Sequence, residues 1–414
     1  MNMPHIYPQV RLGDVGQIIT GKTPPTDNPL NYNGEIQFLT PSDDLSVKHI
    51  YKTKKTISKT GLLAVKNCLL PPSSIAVSCI GSDLGKVVIT TKPTITNQQI
   101  NSIIPSKEYD VDYIYYSLLQ IGKLLNFISK TSTAVPIVNK SDFSKYTITA
   151  PPLPIQRTIA ATLSSLDDKI ELNNRINANL EAQAQAIFKS WFVDFEPFQD
   201  GEFVDSELGK IPKGWRVGRI SEHVTVKDGT HDSPKQKPEG YKLITSKHLN
   251  SYSINFDEAY YIEKNDYDEI NKRSKVDRYD ILISMIGTVG IINYVLCEDV
   301  DFAVKNVGIF KTSQNLEVVE YLLFYLKSSY GVNHLLSNIA GSTQKFISLN
   351  ELRNFPFLAP DEKIIKKFKT YVFLLLQEVH NIELESKTLA AIRDSLLPRL
   401  MSGEIEVPKE ENHK

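Results

Sequence analysis

Cysteine is scarce in this chain: three in 414 residues, Cys68, Cys79 and Cys297, with no short spacing and no histidine pair nearby. That excludes a disulfide framework and a zinc finger. The eight histidines show no metal-ligand spacing, and no acidic pair stands beside a lysine as a nuclease metal site requires. A methyltransferase signature is missing too, since no Gly-rich loop is followed by an Asn/Asp-Pro-Pro-Tyr tetrapeptide. Residues Met1–Pro8 lack an apolar h-region, and the longest aliphatic runs, Tyr321–Leu326 and Tyr371–Leu376, are too short to span a bilayer. A cytoplasmic protein is expected, with no catalytic residue and no resident metal or cofactor. The overall charge of only −1 gives no polycationic face for the whole chain.

What is present is a long internal repeat. Ile75-Ala76-Val77-Ser78-Cys79-Ile80-Gly81 answers Ile281-Leu282-Ile283-Ser284-Met285-Ile286-Gly287 at an offset of 206. The offset drifts to 208 at Val111-Asp112-Tyr113 and Val319-Glu320-Tyr321, and to 210 at Ser132-Thr133 and Ser342-Thr343, as small loop insertions would cause. A period near 200 residues means two whole domains of one kind. Charge follows the same division: residues 1–150 hold 15 basic and 10 acidic side chains, and 151–209 hold 4 and 10. Basic charge therefore lies in the first globular half and acidic charge in the segment after it, an electrostatic hint of a phosphate-facing surface.

Residues 1–150 alternate β-branched runs (36–39, 75–79, 87–89, 100–104, 146–149) with turn clusters around one helix, Asp112 to about Ile128, which reads as an α+β domain. Pro151-Pro152-Leu153-Pro154 then opens a stretch free of proline and glycine as far as Phe195. Its heptad positions Leu163, Leu166, Ile170, Asn173, Asn177, Leu180, Ala184, Ile187 and Trp191 form a mostly apolar seam. A second such helix follows Pro360, with a seam from Ile365 through Phe368, Val372, Leu375, Val379 and Ile382 to Leu400, and Pro398 should kink or end it. Each would be about 40 residues and roughly 60 Å long. The order domain–helix–domain–helix favours an antiparallel pair. Setting Asn177 near Ile382 makes Asn173 face Ser386, Trp191 meet Phe368 and Leu163 meet Leu396; the alternative is that each helix packs on its own globular domain or on a partner chain. Ser206–Trp215 reads as a polar linker into the second copy, whose helix is expected at Glu317–Leu326.

Gly16-Gln17-Ile18-Ile19-Thr20-Gly21-Lys22-Thr23 matches the P-loop pattern letter for letter. A phosphate-cradling loop must run from a buried strand into a helix N-terminus. Here Pro24-Pro25 and a run of turn formers follow, no strand run precedes, and the second copy reads Val226-Lys227-Asp228-Gly229-Thr230.

The block Ile159–Asn174, with Phe188-Lys189-Ser190-Trp191-Phe192-Val193-Asp194-Phe195, closely resembles the central conserved region of the specificity (S) subunits of type I restriction-modification systems. Leu208–Trp215 is similar to that family's approach to its second target recognition domain, and Leu400–Ile405 to its C-terminal signature. The resemblance covers essentially the whole chain. It departs at the helix starts, where Ile155-Gln156 and Glu362-Lys363 stand for the family's Glu-Gln.

The resemblance implies target recognition domains at 1–150 and, with the linker, 201–358. It implies long helices at 151–200 and 359–405 forming an antiparallel coiled coil, a polar tail at 406–414, and a pseudo-twofold repeat. Each recognition domain would read one half of a bipartite site in double-stranded DNA while the helices set the unspecified gap. The helices would also dock two modification (methyltransferase) subunits and, in the full nuclease, two restriction subunits; S-adenosylmethionine, ATP and Mg would belong to those partners. Polar loop residues at equivalent places in both copies are the candidate DNA contacts: Lys22 and Thr23 with Lys227 and Thr230; Ser78 and Gly81 with Ser284 and Gly287; Asn97 and Gln98 with Lys305 and Asn306; and Ser132 and Thr133 with Ser342, Thr343 and Gln344. Asn and Gln suit adenine, Lys suits guanine or phosphate, and hydroxyls suit either. Short polar loop side chains also serve local backbone, so that reading stays open for each. Two rival functions remain: a nucleotide hydrolase using residues 16–23, and a coiled-coil scaffold whose heads bind proteins rather than DNA.

Overall fold

The structure, a computed structural model, describes residues 7–81, 84–131, 137–251 and 253–407. The chain forms two compact units, residues 1–172 with 385–414, and residues 173–384. Among the described residues, no helix is long and apolar enough to cross a membrane.

Unit 1 contains β1 (Gly16–Thr20), β2 (Tyr32–Leu39), β3 (Lys55–Ile57), β4 (Ile75–Ser78), β5 (Val87–Thr90), β6 (Thr94–Thr96) and β7 (Ile100–Pro105), followed by helix α1 (Val111–Thr131). One sheet has the order β1-β7-β4-β5, with His49–Ile50 added in parallel at the β5 edge, and a smaller sheet has the order β3-β2-β6. β4 and β5 are buried at every position, which is why their sequences are continuous apolar runs rather than alternating ones. Gln9–Arg11 and Thr147–Thr149 pair antiparallel and tie the start of this head to the segment before the first long helix.

That helix, α2 (Leu153–Phe192), has 40 residues. Pro154 sits in its first turn, where no N–H partner is lost, and Gln156 Nε2 donates to Pro151 O at 2.8 Å. Phe195, in left-handed conformation at φ 54°, turns the chain away after its end. Within unit 1, Ile159, Ala160 and Leu163 of α2 and Leu397, Leu400 and Met401 from near the C-terminus join one core with α1 and β4.

Unit 2 contains β8 (Val226–Asp228), β9 (Tyr241–Thr245), β10 (Tyr261–Ile262), β11 (Ile281–Ser284), β12 (Ile292–Tyr294), β13 (Phe302–Lys305), β14 (Val307–Phe310) and helix α3 (Val319–Lys327). Its sheets run β8-β14-β11-β12 and β10-β9-β13. Each of these seven strands thus has its counterpart among β1–β7 of unit 1, including the parallel pairs β2/β6 and β9/β13. The core is aromatic: Phe188 of α2 meets the rings of Phe192, Tyr321, Phe324, Tyr325 and Phe368 at 5.2–6.5 Å. Trp191 meets Phe368 at 6.3 Å, and Asn177 donates to Val379 O at 3.4 Å.

Two local expectations change. The segment read as a linker is an antiparallel hairpin, Phe203–Ser206 with Gly209–Pro212, whose Ile211 is buried. Trp215, just beyond it, packs against Phe192, Phe195 and Phe198. Gly209 makes the turn at φ 89°, a conformation that charge-rich neighbours do not reveal. Helix α4 (Glu362–Met401) does finish within the turn that holds Pro398, whose carbonyl still accepts from Ser402 N at 3.0 Å. Finally, a three-residue strand and a helical turn, Leu12–Val15, precede Gly16, where the sequence shows no strand run.

The repeat also leaves one electrostatic mismatch. Asp112 in α1 pairs with Lys48 at 2.7 Å, whereas its counterpart Glu320 in α3 is buried with Oε2 unbonded. Desolvation pushes the Glu320 carboxyl up from 4.5 to about 7. Ionising it therefore costs the folded state: stability is intact below about pH 4.5, falls as pH rises from there to about 7, and the deficit is complete above that. Glu320→Gln is expected to stabilise the protein by on the order of 2–3 kcal/mol at pH 8 and to be near neutral at pH 4.5. Urea denaturation at the two pH values reads the difference, and equal effects at both would refute it.

Candidate nucleic-acid interface

In unit 1 the ends of three strands meet at one corner. Gly21, just past β1, donates its N–H to Ile100 O at 3.1 Å, and Cys79, just past β4, donates to Gln99 O at 2.8 Å. Val138 N closes the corner on Cys79 O at 2.9 Å. Buried Asn101 braces it from below, accepting from Thr20 Oγ1 at 2.7 Å and donating to Val138 O at 2.9 Å. A Cβ on Gly21 would fall 2.2 Å from Asn97 O, so only glycine allows this backbone-to-backbone approach. On the outer side Lys22 and Gln98 are exposed, and Thr23 Oγ1 donates to Gln98 Oε1 at 2.7 Å.

Unit 2 builds the same corner with other side chains. Gly229 N donates to Val307 O at 2.9 Å, and its Cβ position lies 2.3 Å from Val304 O. Asn306, at φ 54°, donates its N–H to Thr230 O at 3.1 Å. Ser246 Oγ donates to Asn306 O at 2.7 Å and accepts from Met285 N at 3.2 Å, and Gly287 N donates to Lys345 O at 2.9 Å. A hydrogen-bonded chain thus runs from Asn306 to the hairpin closed by Ala340 and Phe346. Outside it, His231 places Nε2 3.1 Å from Asp228 Oδ2 and Nδ1 2.8 Å from Asn306 Oδ1. Arg273 caps Asp228, and Lys305 Nζ reaches Ser233 Oγ.

The structure therefore groups Lys22, Thr23 and Gln98 in unit 1, and Thr230, Lys305 and Asn306 in unit 2. Asn97 is buried and turned onto Gln99, with Nδ2 2.9 Å from Gln99 Oε1. Gly81 and Gly287 both adopt positive φ, 94° and 77°, with open space where a Cβ would be. Ser342, Thr343 and Gln344 are exposed at their hairpin tip, and Lys227 is half-buried on β8. Ser132 and Thr133 lie outside the described residues.

Ser78 and Ser284 must be withdrawn as contacts. They are 1% and 0% exposed, and their hydroxyls accept from Lys86 N at 2.9 Å and Ile291 N at 2.8 Å, holding the turn that follows each strand. The P-loop pattern is also dissolved: Gly16–Thr20 is strand β1, paired along its length with β7. Sequence reasoning singled out none of His231, Asp228 and Arg273 as site residues. The available signal was the Asp228-Gly229 pair at the repeated glycine.

Two units of one topology, each presenting a polar corner at its strand ends, define a protein built from a duplicated module. The profile of the family described as "Type I restriction modification DNA specificity domain" matches residues 7–182 and 212–393, so the chain belongs to the DNA-specificity, non-catalytic subunits of type I restriction-modification systems. It is similar to the type I restriction enzyme MjaIX specificity subunit of Methanocaldococcus jannaschii, 29% identical over 424 residues covering 98% of this chain and 95% of that one. The HindI specificity subunit of Haemophilus influenzae is 35% identical over 180 residues, 43% of this chain and 39% of that one. Among solved structures, the S subunit of the type I restriction-modification system from M. genitalium shares the fold at a TM-score of 0.50 and 16% identity, over 97% of this chain and 98% of that one.

Proposed function

We propose that each head reads one half of a bipartite sequence in double-stranded DNA, and that α2 and α4 pair as an antiparallel coiled coil that sets the gap between the halves. The observation that carries this reading is the duplication of the corner itself: the same strand order and the same glycine approach, dressed with different polar side chains. A repeated scaffold with unlike tips suits two independent half-sites. The pairing of α2 with α4 is supported by Trp191 against Phe368 and by the Asp167–Arg393 ion pair at 2.5 Å. Two modules on one face of a duplex must stand about 34 Å apart, within reach of helices of roughly 60 Å. The helices would also dock two modification subunits and, in the nuclease form, two restriction subunits, in the cytoplasm. S-adenosylmethionine, ATP and Mg would be held by those subunits.

Exchange of residues 1–150 for those of another such subunit is expected to change one half of the methylated sequence and leave the other intact, as read by methylation-site mapping with the cognate modification subunits. Removing one heptad from each helix should shorten the gap by about 10 Å, or roughly three base pairs. A change in both halves after the exchange would rule out independent heads. Methylation unaffected by either change would favour the scaffold reading.

A further inference from the structure

The two corners share a device that the common strand order does not require. In unit 1, Thr23, two residues past Gly21, holds the side-chain amide of Gln98. In unit 2, His231, two residues past Gly229, holds the side-chain amide of Asn306. Gln98 and Asn306 both lie in the short connections that join β6 to β7 and β13 to β14. The residue types differ between heads, so what is repeated is a carboxamide gripped from the opposite loop. That grip has a rigid base, because Gly21 presses its loop against the backbone of Thr96 and Asn97, and Gly229 presses against Val304 and Lys305 at the end of β13, just before Asn306. In unit 2 it is reinforced, since the imidazole is held at Nε2 by Asp228, which Arg273 holds in turn.

The geometry points to Gln98 and Asn306 as the equivalent base-reading residues of the two heads, each fitted to an adenine edge in the major groove, with Thr23 and His231 as the residues that position them. This rests on the proposed reading of DNA by the heads. A carboxamide matches adenine because it donates to N7 and accepts from the N6 amino group together. The lysines at the same corners, Lys22 and Lys305, can only donate. An amide rotated by half a turn offers the reverse pattern, which adenine rejects, so a partner that fixes the rotation contributes selectivity beyond contact. The amide oxygen has two lone pairs, so the bond from Thr23 leaves one for the base. Holding the side chain beforehand also removes rotamer freedom that binding would otherwise have to quench.

Methylation-site mapping with the complete complex tests this. Gln98→Ala and Asn306→Ala should each lose discrimination at one base pair, tenfold or more and only in that residue's own half-site, from the typical strength of a bidentate base contact. Gln98→Glu, nearly equal in size, should move the preference at that position from adenine toward cytosine. Thr23→Val and His231→Phe should relax the same positions by roughly three- to tenfold while the other half-site stays sharp, which a general folding defect would not do. If exchange of residues 1–150 transfers a half-site but Gln98→Ala leaves every base preference intact, this inference falls and the DNA-reading function stands. If the exchange transfers nothing, both fall.

Discussion

Replacing Phe188 with alanine is expected to destabilise unit 2 by about 3–5 kcal/mol, the usual cost of deleting a buried aromatic ring. Phe188 is 1% exposed, and its ring is enclosed by five others, from α2, α3 and α4. Aromatic neighbours have few rotamers with which to fill the gap, so the cavity should persist and the loss should lie toward the upper end of that range. The chain supplies its own probe: its two tryptophans, Trp191 and Trp215, both pack in this cluster. Urea denaturation followed by tryptophan fluorescence therefore reports the loss directly. Phe143→Ala, in the buried core of unit 1, serves as the control and should move the circular dichroism transition more than the fluorescence one. A fluorescence midpoint unmoved by Phe188→Ala would mean that the ring cluster does not hold unit 2 together.

Functionally, that cluster matters because it is where a long helix is fastened to a head. The fastening is buried aromatic packing, whereas the corners carry polar side chains that differ between the two units. This division is visible in which features were legible from sequence. β4 and β11 could be read because strands buried on both faces are written as unbroken apolar runs. The pairing of Trp191 with Phe368 followed from heptad spacing and one choice of register. The hairpin at 203–212 was hidden because Glu202, Asp205, Glu207, Lys210 and Lys213 dominate its composition, while the informative residues, Ile211 and Trp215, are few.

The corners were legible as places and less so as contacts. Ser78 and Ser284 attracted attention because they recur, yet they recur because the same turn needs the same hydroxyl in both heads. Identity across an internal repeat therefore marks shared architecture. A role kept at equivalent positions by different side chains, as in Thr23–Gln98 and His231–Asn306, is the better guide to candidate contacts. Arg273 illustrates the remaining limit: it reaches Asp228 from 45 residues away, and only the folded helix Lys264–Ser274 brings it there.

Asp167→Ala is the second change expected to have a large effect, about 3–5 kcal/mol, this time in unit 1. Asp167 on α2 is buried, accepts from Arg393 Nη1 of α4 at 2.5 Å on one oxygen, and accepts from Tyr116 OH of α1 at 2.6 Å on the other. Burial, and then the charge of Asp167, push the Tyr116 hydroxyl well above its ordinary range, so it remains a neutral donor to the carboxylate. One side chain thus joins both long helices to the first head, and its removal takes the acceptor from the buried Tyr116 hydroxyl and leaves the partly buried Arg393 guanidinium with only the exposed Asp394 carboxylate, 3.1 Å from Nη2. Arg393→Met should cost less than Asp167→Ala, because the remaining carboxylate keeps Tyr116. Asp167→Leu combined with Arg393→Met and Tyr116→Phe should recover most of the loss, since an apolar trio of similar volume strands no charge and no hydroxyl. Urea denaturation followed by circular dichroism can close this cycle. If the triple variant proves less stable than Asp167→Ala alone, the network contributes directional bonding that apolar packing cannot replace, and fastening by burial would be the wrong account of how the first head is held to its helices.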